Sequence, residues 1–252
     1  MANSISKTFI SNSISKTFIL RKLHQLTGIV PLGIFFFFHM FTNAKAMYGE
    51  KVFNEAVADI HHLPFLLFIE IFGIFIPLLF HSIYGIFISA EAKVNVGNYT
   101  YLRNWLYVFQ RITGIFLFFF ILFHILHFRF GMFGDLGLTS IKVSGNADKA
   151  FAIVSADFQS LSILVLYILG VGATAWHLGY GIFLFAVDWG ILIGEKAQKA
   201  ALYTCALIAL TLFAIGTNAA FSFIRPCGLI PQAICGAEKQ IEATNPIAPR
   251  RF

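Results

Sequence analysis

The sequence predicts an all-α membrane protein with five transmembrane helices, the first four of which pack as a four-helix bundle. Two features of its composition lead to this prediction. Hydrophobic residues make up 58% of the 252 positions and charged residues only 12%, whereas a soluble domain carries about 25% charged residues. The apolar residues also fall into blocks that reach the roughly 20 residues needed to cross a bilayer. Five such blocks occur, at 23–43, 64–90, 105–130, 160–187 and 200–224.

The blocks divide the chain into three parts. These are a polar lead-in over 1–22, a transmembrane domain over 23–224 and an extramembrane tail over 225–252. The first helix is expected to begin directly after Lys22. Four prolines in the tail predict that it is not a helix, because proline lacks the backbone N–H that a helix uses. Cys227 and Cys235 in the tail either form a disulfide or stay free thiols.

The charged residues indicate a membrane partner rather than nucleic acid. The net charge is +6, but the Lys and Arg residues lie at the ends of the blocks rather than in one patch. Residues at these positions set the topology and meet lipid headgroups. Arg21 and Lys22 directly precede the first block, so we expect the N-terminus on the cytoplasmic side.

Four histidines inside the first four blocks are the candidate functional residues. An ionisable side chain within a membrane span is costly and is therefore a functional-site hypothesis. His39, His81, His124 and His177 each follow the start of their block by about 17 residues, or roughly 25 Å along a helix. Because successive spans run in opposite directions, His39 and His124 are predicted to share a depth near the outer face. His81 and His177 are predicted to share a depth near the inner face.

An internal similarity supports this pairing. HSIYGIF at 81–87 and HLGYGIF at 177–183 share the pattern H-x-x-Y-G-I-F. TGI occurs at 27–29 and again at 113–115, each time ahead of a histidine. The first two helices therefore look like a copy of the next two. A duplicated hairpin packed as a bundle would place its equivalent histidines face to face.

Opposed histidines at one depth are suited to binding haem iron. Neutral imidazoles from facing helices can occupy both axial positions of the iron, and bundle cores commonly hold such sites. The three cysteines include no C-x-x-C pair, which excludes covalent attachment of the haem. A zinc site would need three or four ligands at one depth, and a proton relay would need more acids than Glu70. We therefore predict two b-type haems, with His39 and His124 on the outer iron and His81 and His177 on the inner iron.

Further residues are candidates for contacting the haems. Glycines near the histidines either let the porphyrin lie against the backbone or serve helix packing. They are Gly28, Gly85, Gly114 and Gly181. At the inner ends of the spans, Arg21, His24 and Arg111 either receive haem propionates, since Arg pairs well with carboxylates, or set the topology. His127, one turn past His124, is interpreted as a surface residue.

Over about residues 21 to 190 the chain resembles a known family. The matching stretches are RKLHQLTGIVPLGIFFFFHM, LPFLLFIEIFGIFIPLLFHSIYGIFI, YLRNWLYVFQRITGI, WHLGYGIF and AVDWG. They are similar to the di-haem cytochrome b membrane anchor, of the single-subunit type, in bacterial succinate:quinone oxidoreductases, which comprise succinate dehydrogenases and fumarate reductases. All four haem-ligand positions of that family are occupied by histidine here.

The resemblance implies a place in an electron-transfer complex of the bacterial inner membrane. An FAD-containing flavoprotein would interconvert succinate and fumarate, and an iron–sulfur subunit would relay electrons. Both would lie on the cytoplasmic face, so the dicarboxylate chemistry would belong to partner subunits. The anchor would pass electrons between the iron–sulfur subunit and quinone, which for two-haem members is usually menaquinone.

The resemblance also implies a quinone site near the outer haem, with an acidic residue close to the loop before the second helix. Quinone chemistry exchanges protons, so such a site needs a proton-accepting group within hydrogen-bond reach. The candidates here are Glu55, Asp59, His61, His62 and Glu70.

Two other functions compete with this one. A cytochrome b subunit of another quinone-linked enzyme, such as a hydrogenase or formate dehydrogenase, would use a different histidine distribution and lack the H-x-x-Y-G-I-F pair. A haem-free anchor or small-molecule transporter would leave four depth-matched histidines without a purpose, and the spans contain no substrate-like polar cluster.

Overall fold

A computed structural model describes residues 2–231, with side chains from Lys16 onward. Five of its helical spans are long and apolar enough to cross a membrane. They are Lys16–Tyr48, Leu66–Ala90, Leu102–Arg129, Leu161–Asp188 and Glu195–Ser222. Many large apolar side chains on these spans are exposed, as Phe38, Phe72 and Phe119 show, which is how a surface in contact with lipid is built. The prediction of an all-α protein with five spans is confirmed, and the packing of the first four as one bundle stays a prediction.

The helices are named here in chain order. They are α1 (Ala2–Ile29), α2 (Pro31–Ala44), α3 (Glu50–His61), α4 (Leu66–Ala90), α5 (Leu102–Arg129), α6 (Ala150–Phe158), α7 (Leu161–Asp188) and α8 (Glu195–Ser222). The spans are α1 with α2, then α4, α5, α7 and α8.

The first span differs from its predicted form at both its start and its middle. Helix α1 begins at Ala2, so the expected start after Lys22 is wrong. The lead-in contains no Gly or Pro to end a helix. The span is interrupted at Val30, where α2 restarts with Pro31. Proline has no N–H to donate to the preceding turn but suits the first position of a new helix.

Two spans contain a wider, π-helical turn that the sequence did not predict. One covers Ile69–Phe75 near the start of α4 and includes Glu70. The other covers Ile125–Arg129 at the end of α5 and includes His127. Such turns occur mostly as single interruptions of α-helices, frequently at functional sites.

Two short helices lie between the apolar blocks. Helix α3 buries Phe53 and Val57 on one face, a spacing of four residues that suits an amphipathic helix. It packs against α6. Asn54 joins them, since its Nδ2 donates to the Asp148 carbonyl at 2.7 Å and its Oδ1 accepts from the Phe151 N–H at 2.8 Å.

The residues group into two compact units. The first contains the chain up to Phe36 together with Leu67–Phe116 and Trp176–Ala209. Its core includes Tyr180, Phe183 and the free, buried thiol of Cys205.

The second unit contains Phe37–Leu66, Leu117–Ala175 and the chain from Leu210 onward. Its core includes an aromatic cluster in which the Phe223 ring lies 5.0 Å from Phe53 and 5.7 Å from Phe158, centroid to centroid. Cys227 is buried and disulfide-bonded. Cys235 and the rest of the predicted tail lie outside the described residues.

Candidate functional site

His81 and His177 lie side by side in the first unit. His81 is on α4 and His177 on α7, and their ring centroids are 6.4 Å apart with an angle of 86° between the planes. His81 Nδ1 donates to the backbone carbonyl of His24 at 2.8 Å. Since a carbonyl only accepts, the proton of the neutral His81 ring is on Nδ1. Its Nε2 therefore presents a lone pair.

A hydroxyl group holds His177 in the same tautomer. The Thr113 hydroxyl donates to the Phe109 carbonyl at 2.9 Å, so its oxygen accepts from His177 Nδ1 at 3.2 Å. Nε2 of His177 thereby presents its lone pair as well. An imidazole whose Nδ1–H is hydrogen-bonded and whose Nε2 is a free base is prepared to bind a metal.

His39 and His124 lie side by side in the second unit. Their ring centroids are 5.7 Å apart, at an angle of 79°. Nδ1 of His124 lies 3.4 Å from the Tyr167 hydroxyl. His39 is different, because its Nε2 lies 3.3 Å from Asn43 Nδ2. The structure thus brings together both predicted pairs of histidines.

The glycines make room for imidazole rings. A Cβ on Gly28 would lie 2.5 Å from Cε1 of His81, and one on Gly114 would lie 3.0 Å from Cε1 of His177. A Cβ on Gly85 would lie 2.9 Å from Nε2 of His24. At Gly181 the nearest atom, Gln110 Nε2, would be an ordinary 3.6 Å away. Three of the four glycines therefore permit a close approach by a histidine, a purpose that sequence reasoning did not consider.

The three candidates for propionate contacts are held in different ways. Arg21 forms an exposed ion pair with Glu91 at 3.0 Å. The His24 ring is stacked on His81, with centroids 4.1 Å apart. Arg111 lies over the Tyr107 ring, 3.3 Å from its centroid, and its Nε is buried without a hydrogen-bond partner.

The five quinone-site candidates do not all belong to one unit. Glu70 belongs to the first unit, and the other four belong to the second. Glu55 is exposed and lies 3.9 Å from Lys51. Asp59 and His62 are exposed, while His61 is half-buried and its Nδ1 donates to the Val57 carbonyl at 3.0 Å. The prediction of a quinone site therefore stays a prediction.

The interpretation of His127 as a surface residue is wrong. Its side chain is 0% exposed, and Nε2 lies 2.9 Å from Oδ2 of the buried Asp157. Its Nδ1 lies 3.2 Å from the hydroxyl of Tyr167. The sequence did carry a signal, since Asp157 is the one acid in the apolar stretch AFAIVSADF, and a buried charge needs a partner.

Comparison with known proteins shows that one half of the chain matches a family model. Residues 91–216 match the model of the succinate dehydrogenase/fumarate reductase transmembrane subunit family. The chain is also 37% identical, over 204 residues, to the succinate dehydrogenase cytochrome b558 subunit of Bacillus subtilis (strain 168). That alignment covers 81% of this chain and 96% of the relative.

The chain belongs to this family. As a succinate dehydrogenase/fumarate reductase transmembrane subunit, it is a multi-pass membrane protein and part of an enzyme complex whose catalysis lies on other subunits. The resemblance to this family is thereby confirmed. The two histidine pairs therefore lie in a member of this family, one pair in each unit.

Proposed function

We propose that the chain is the di-haem anchor of its complex and carries electrons between the catalytic subunits and quinone. His81 and His177 would bind one haem iron, and His39 and His124 the other. The observation that supports this most directly is the occurrence of two facing histidine pairs, one in each unit. The Bacillus subtilis relative is named a cytochrome b558 subunit, which supports haem of the b type.

The spacing of the rings fits a shared iron. Metal–imidazole bonds are about 2 Å long, so two imidazoles on opposite sides of one iron have ring centres roughly 6 Å apart. The separations of 6.4 Å for His81 and His177 and 5.7 Å for His39 and His124 agree with this value. The tautomers of His81 and His177 also fit, because each presents Nε2 as a base. At His39, the Asn43 amide would have to give up its contact with Nε2.

A buried polar atom without a partner fits the edge of a haem. Nε of Arg111 is buried and lacks a hydrogen-bond partner. Buried polar groups are rarely left unsatisfied, and an exception calls for an unseen ligand, ion or water. A haem propionate would satisfy Arg111 through a charge-assisted hydrogen bond. We therefore favour Arg111 over Arg21, which already pairs with Glu91.

The bound haem would supply one-electron transfer, and the protein would supply the rest. The histidines would fix the position of the iron, and hydrogen bonds to Nδ1 would hold each ring in place. Apolar side chains around the pairs would exclude water. A side chain at the quinone site would accept and release the protons that accompany reduction of menaquinone.

The finer assignment of partners and location follows from the same proposal. An FAD-containing flavoprotein and an iron–sulfur subunit would bind on the cytoplasmic face of the bacterial inner membrane. The N-terminus would lie on that face, since Arg21 and Lys22 precede the first span.

Four single variants test the pairing of the histidines. The complex is purified with His39, His81, His124 or His177 changed to Ala, and haem per chain and the reduced-minus-oxidised spectrum are measured. We expect His81→Ala and His177→Ala to lose the same spectral component, and His39→Ala and His124→Ala to lose the other. His61→Ala is the matched control and should keep both haems. Loss of different components within one pair would refute the proposed ligation.

A further inference from the structure

The buried contact between His127 and Asp157 is not used by the proposed function. Both side chains lie in the second unit, where His127 is 0% and Asp157 is 5% exposed. Phe128 stacks on the His127 ring at 4.1 Å, and Phe158 covers Tyr167 at 4.9 Å between centroids. Burying a carboxylate is costly unless its oxygens are hydrogen-bonded. The buried carboxylate of Asp157 therefore calls for an explanation.

The directions of the hydrogen bonds follow from the acid. A carboxylate only accepts, so Oδ1 of Asp157 accepts from the Thr139 backbone N–H at 2.8 Å, and Oδ2 accepts from His127 Nε2–H at 2.9 Å. Neutral His127 then has Nδ1 as an acceptor, and the Tyr167 hydroxyl donates to it at 3.2 Å. The Tyr167 oxygen is left to accept from His124 Nδ1–H at 3.4 Å.

We infer that Asp157, His127 and Tyr167 are positioning residues that act on His124 and lower the reduction potential of the haem bound by His39 and His124. This inference rests on the proposed function. The chain of hydrogen bonds runs in one direction, from the His124 ring to a negative charge, and each bond polarises the next. An acceptor on Nδ1–H makes a metal-binding imidazole more basic. A more basic ligand favours the ferric state over the ferrous state, which lowers the potential.

The other unit offers a built-in comparison. Thr113 accepts the corresponding Nδ1–H of His177, but the Thr113 hydroxyl then donates only to backbone carbonyls of α5. None of the hydrogen bonds of the Thr113 hydroxyl leads to a carboxylate. Nδ1–H of His81 likewise donates to a neutral carbonyl. The two histidine pairs thus have different hydrogen-bonded surroundings. We expect the hydrogen bonds that lead from His124 to Asp157 to lower the potential of the haem of His39 and His124 relative to that of the other haem.

The test is a potentiometric titration of the purified complex, with the two haems followed by their visible spectra. The variants are Tyr167→Phe, which removes the acceptor for His124, and Asp157→Asn, which removes the charge and leaves one amide oxygen to accept in place of two carboxylate oxygens. Tyr180→Phe and Ser155→Ala are the matched controls, since Tyr180 is another buried tyrosine of α7 and Ser155 lies on α6 but bonds to Phe223. The spectral component lost in His124→Ala identifies the haem concerned.

For Tyr167→Phe we expect the reduced-to-oxidised ratio of that haem to rise about tenfold at a fixed potential, which is a shift of about 59 mV for one electron. Asp157→Asn should shift it in the same direction by less, and neither control should shift it. If Tyr167→Phe fails to retain the haem, the Asp157→Asn titration decides. Unchanged potentials in Asp157→Asn, or equal shifts at both haems, would overturn the inference while leaving the proposed function intact. Absence of haem in the unaltered complex would instead remove the proposed function.

Discussion

At the scale of single residues, the two ring nitrogens of each histidine have separate tasks. Nδ1 of His81, His177 and His124 is occupied by a carbonyl, a threonine hydroxyl and a tyrosine hydroxyl, respectively. Each partner fixes the orientation of its ring before any metal is bound. The carbonyl belongs to His24, for which the sequence left open propionate contact or a topological purpose, and the structure places its ring against that of His81.

Gly28 provides a residue-scale prediction. A Cβ at this position would come within 2.5 Å of Cε1 of His81, and the ring cannot withdraw without breaking its bond to the His24 carbonyl. Gly28→Ala should therefore displace His81 and weaken the affinity for its haem about 10–100-fold, as the loss of other groups that support a metal ligand does. The haem content of the purified variant should fall accordingly. Gly97→Ala is the control, since nothing lies within 4 Å of its Cβ position. Equal haem content in the two purified variants would contradict this account.

At this scale the sequence predicted contacts between residues whose depth in the membrane is fixed by the apolar blocks, and it missed contacts made by residues outside those blocks. The positions of the four histidines along their spans sufficed to predict which ones would be neighbours. The contact of His127 with Asp157 could not be predicted in the same way, because Asp157 lies outside the five blocks and no span fixes its depth. Only the folded chain brings the acid, the imidazole and Tyr167 together.

At the scale of elements, two of the segments between the spans contain a short helix, which their composition did not suggest. Helices α3 and α6 support each other, and Phe53 of α3 packs on Phe151 of α6 with ring centroids 6.1 Å apart. The spacing of Phe53 and Val57, four residues apart in a polar segment, is a usable sign of α3. The π-helical turns in α4 and α5 had no comparable sign, since they depend on packing that propensity does not encode.

Asn54 provides the element-scale prediction. Its side chain makes two hydrogen bonds to the segment that begins α6, one exposed and one part-buried. Each such bond contributes about 0.5–1.5 kcal/mol to stability, or about 1–3 kcal/mol for the two. Asn54→Ala should lower the free energy of unfolding by this amount, seen as a lower midpoint in thermal denaturation of the purified complex. Asn98→Ala removes only an exposed bond to Asn95 and should have little effect. Equal midpoints for both variants would show that Asn54 does not hold α6.

At the scale of the whole molecule, five helical spans are long and apolar enough to cross a membrane. Block length and hydropathy were enough to predict this, because a bilayer imposes a minimum span on any helix that crosses it. The helical course from Ala2 was not predicted, since a polar segment next to a membrane span carries no signal that distinguishes a helix from an extended lead-in.

The orientation of the chain is the whole-molecule prediction. Lys93 and Lys142 are exposed residues that precede and follow α5 in the chain, so we expect them on opposite faces of the membrane if α5 crosses it. With the N-terminus in the cytoplasm, a membrane-impermeant thiol reagent added to spheroplasts should label Lys142→Cys but not Lys93→Cys. Both should react after permeabilisation, which controls for reactivity. Labelling of Lys93→Cys alone would mean that the chain is inserted the other way round.

Two pairs of histidines are proposed to hold two haems of the b type. The decisive measurement is the haem content per chain of the purified complex, together with its dithionite-reduced minus oxidised spectrum. We predict two haems per chain, both reducible and neither covalently attached. A single haem would mean that one histidine pair has only a structural purpose, and no haem at all would contradict the account.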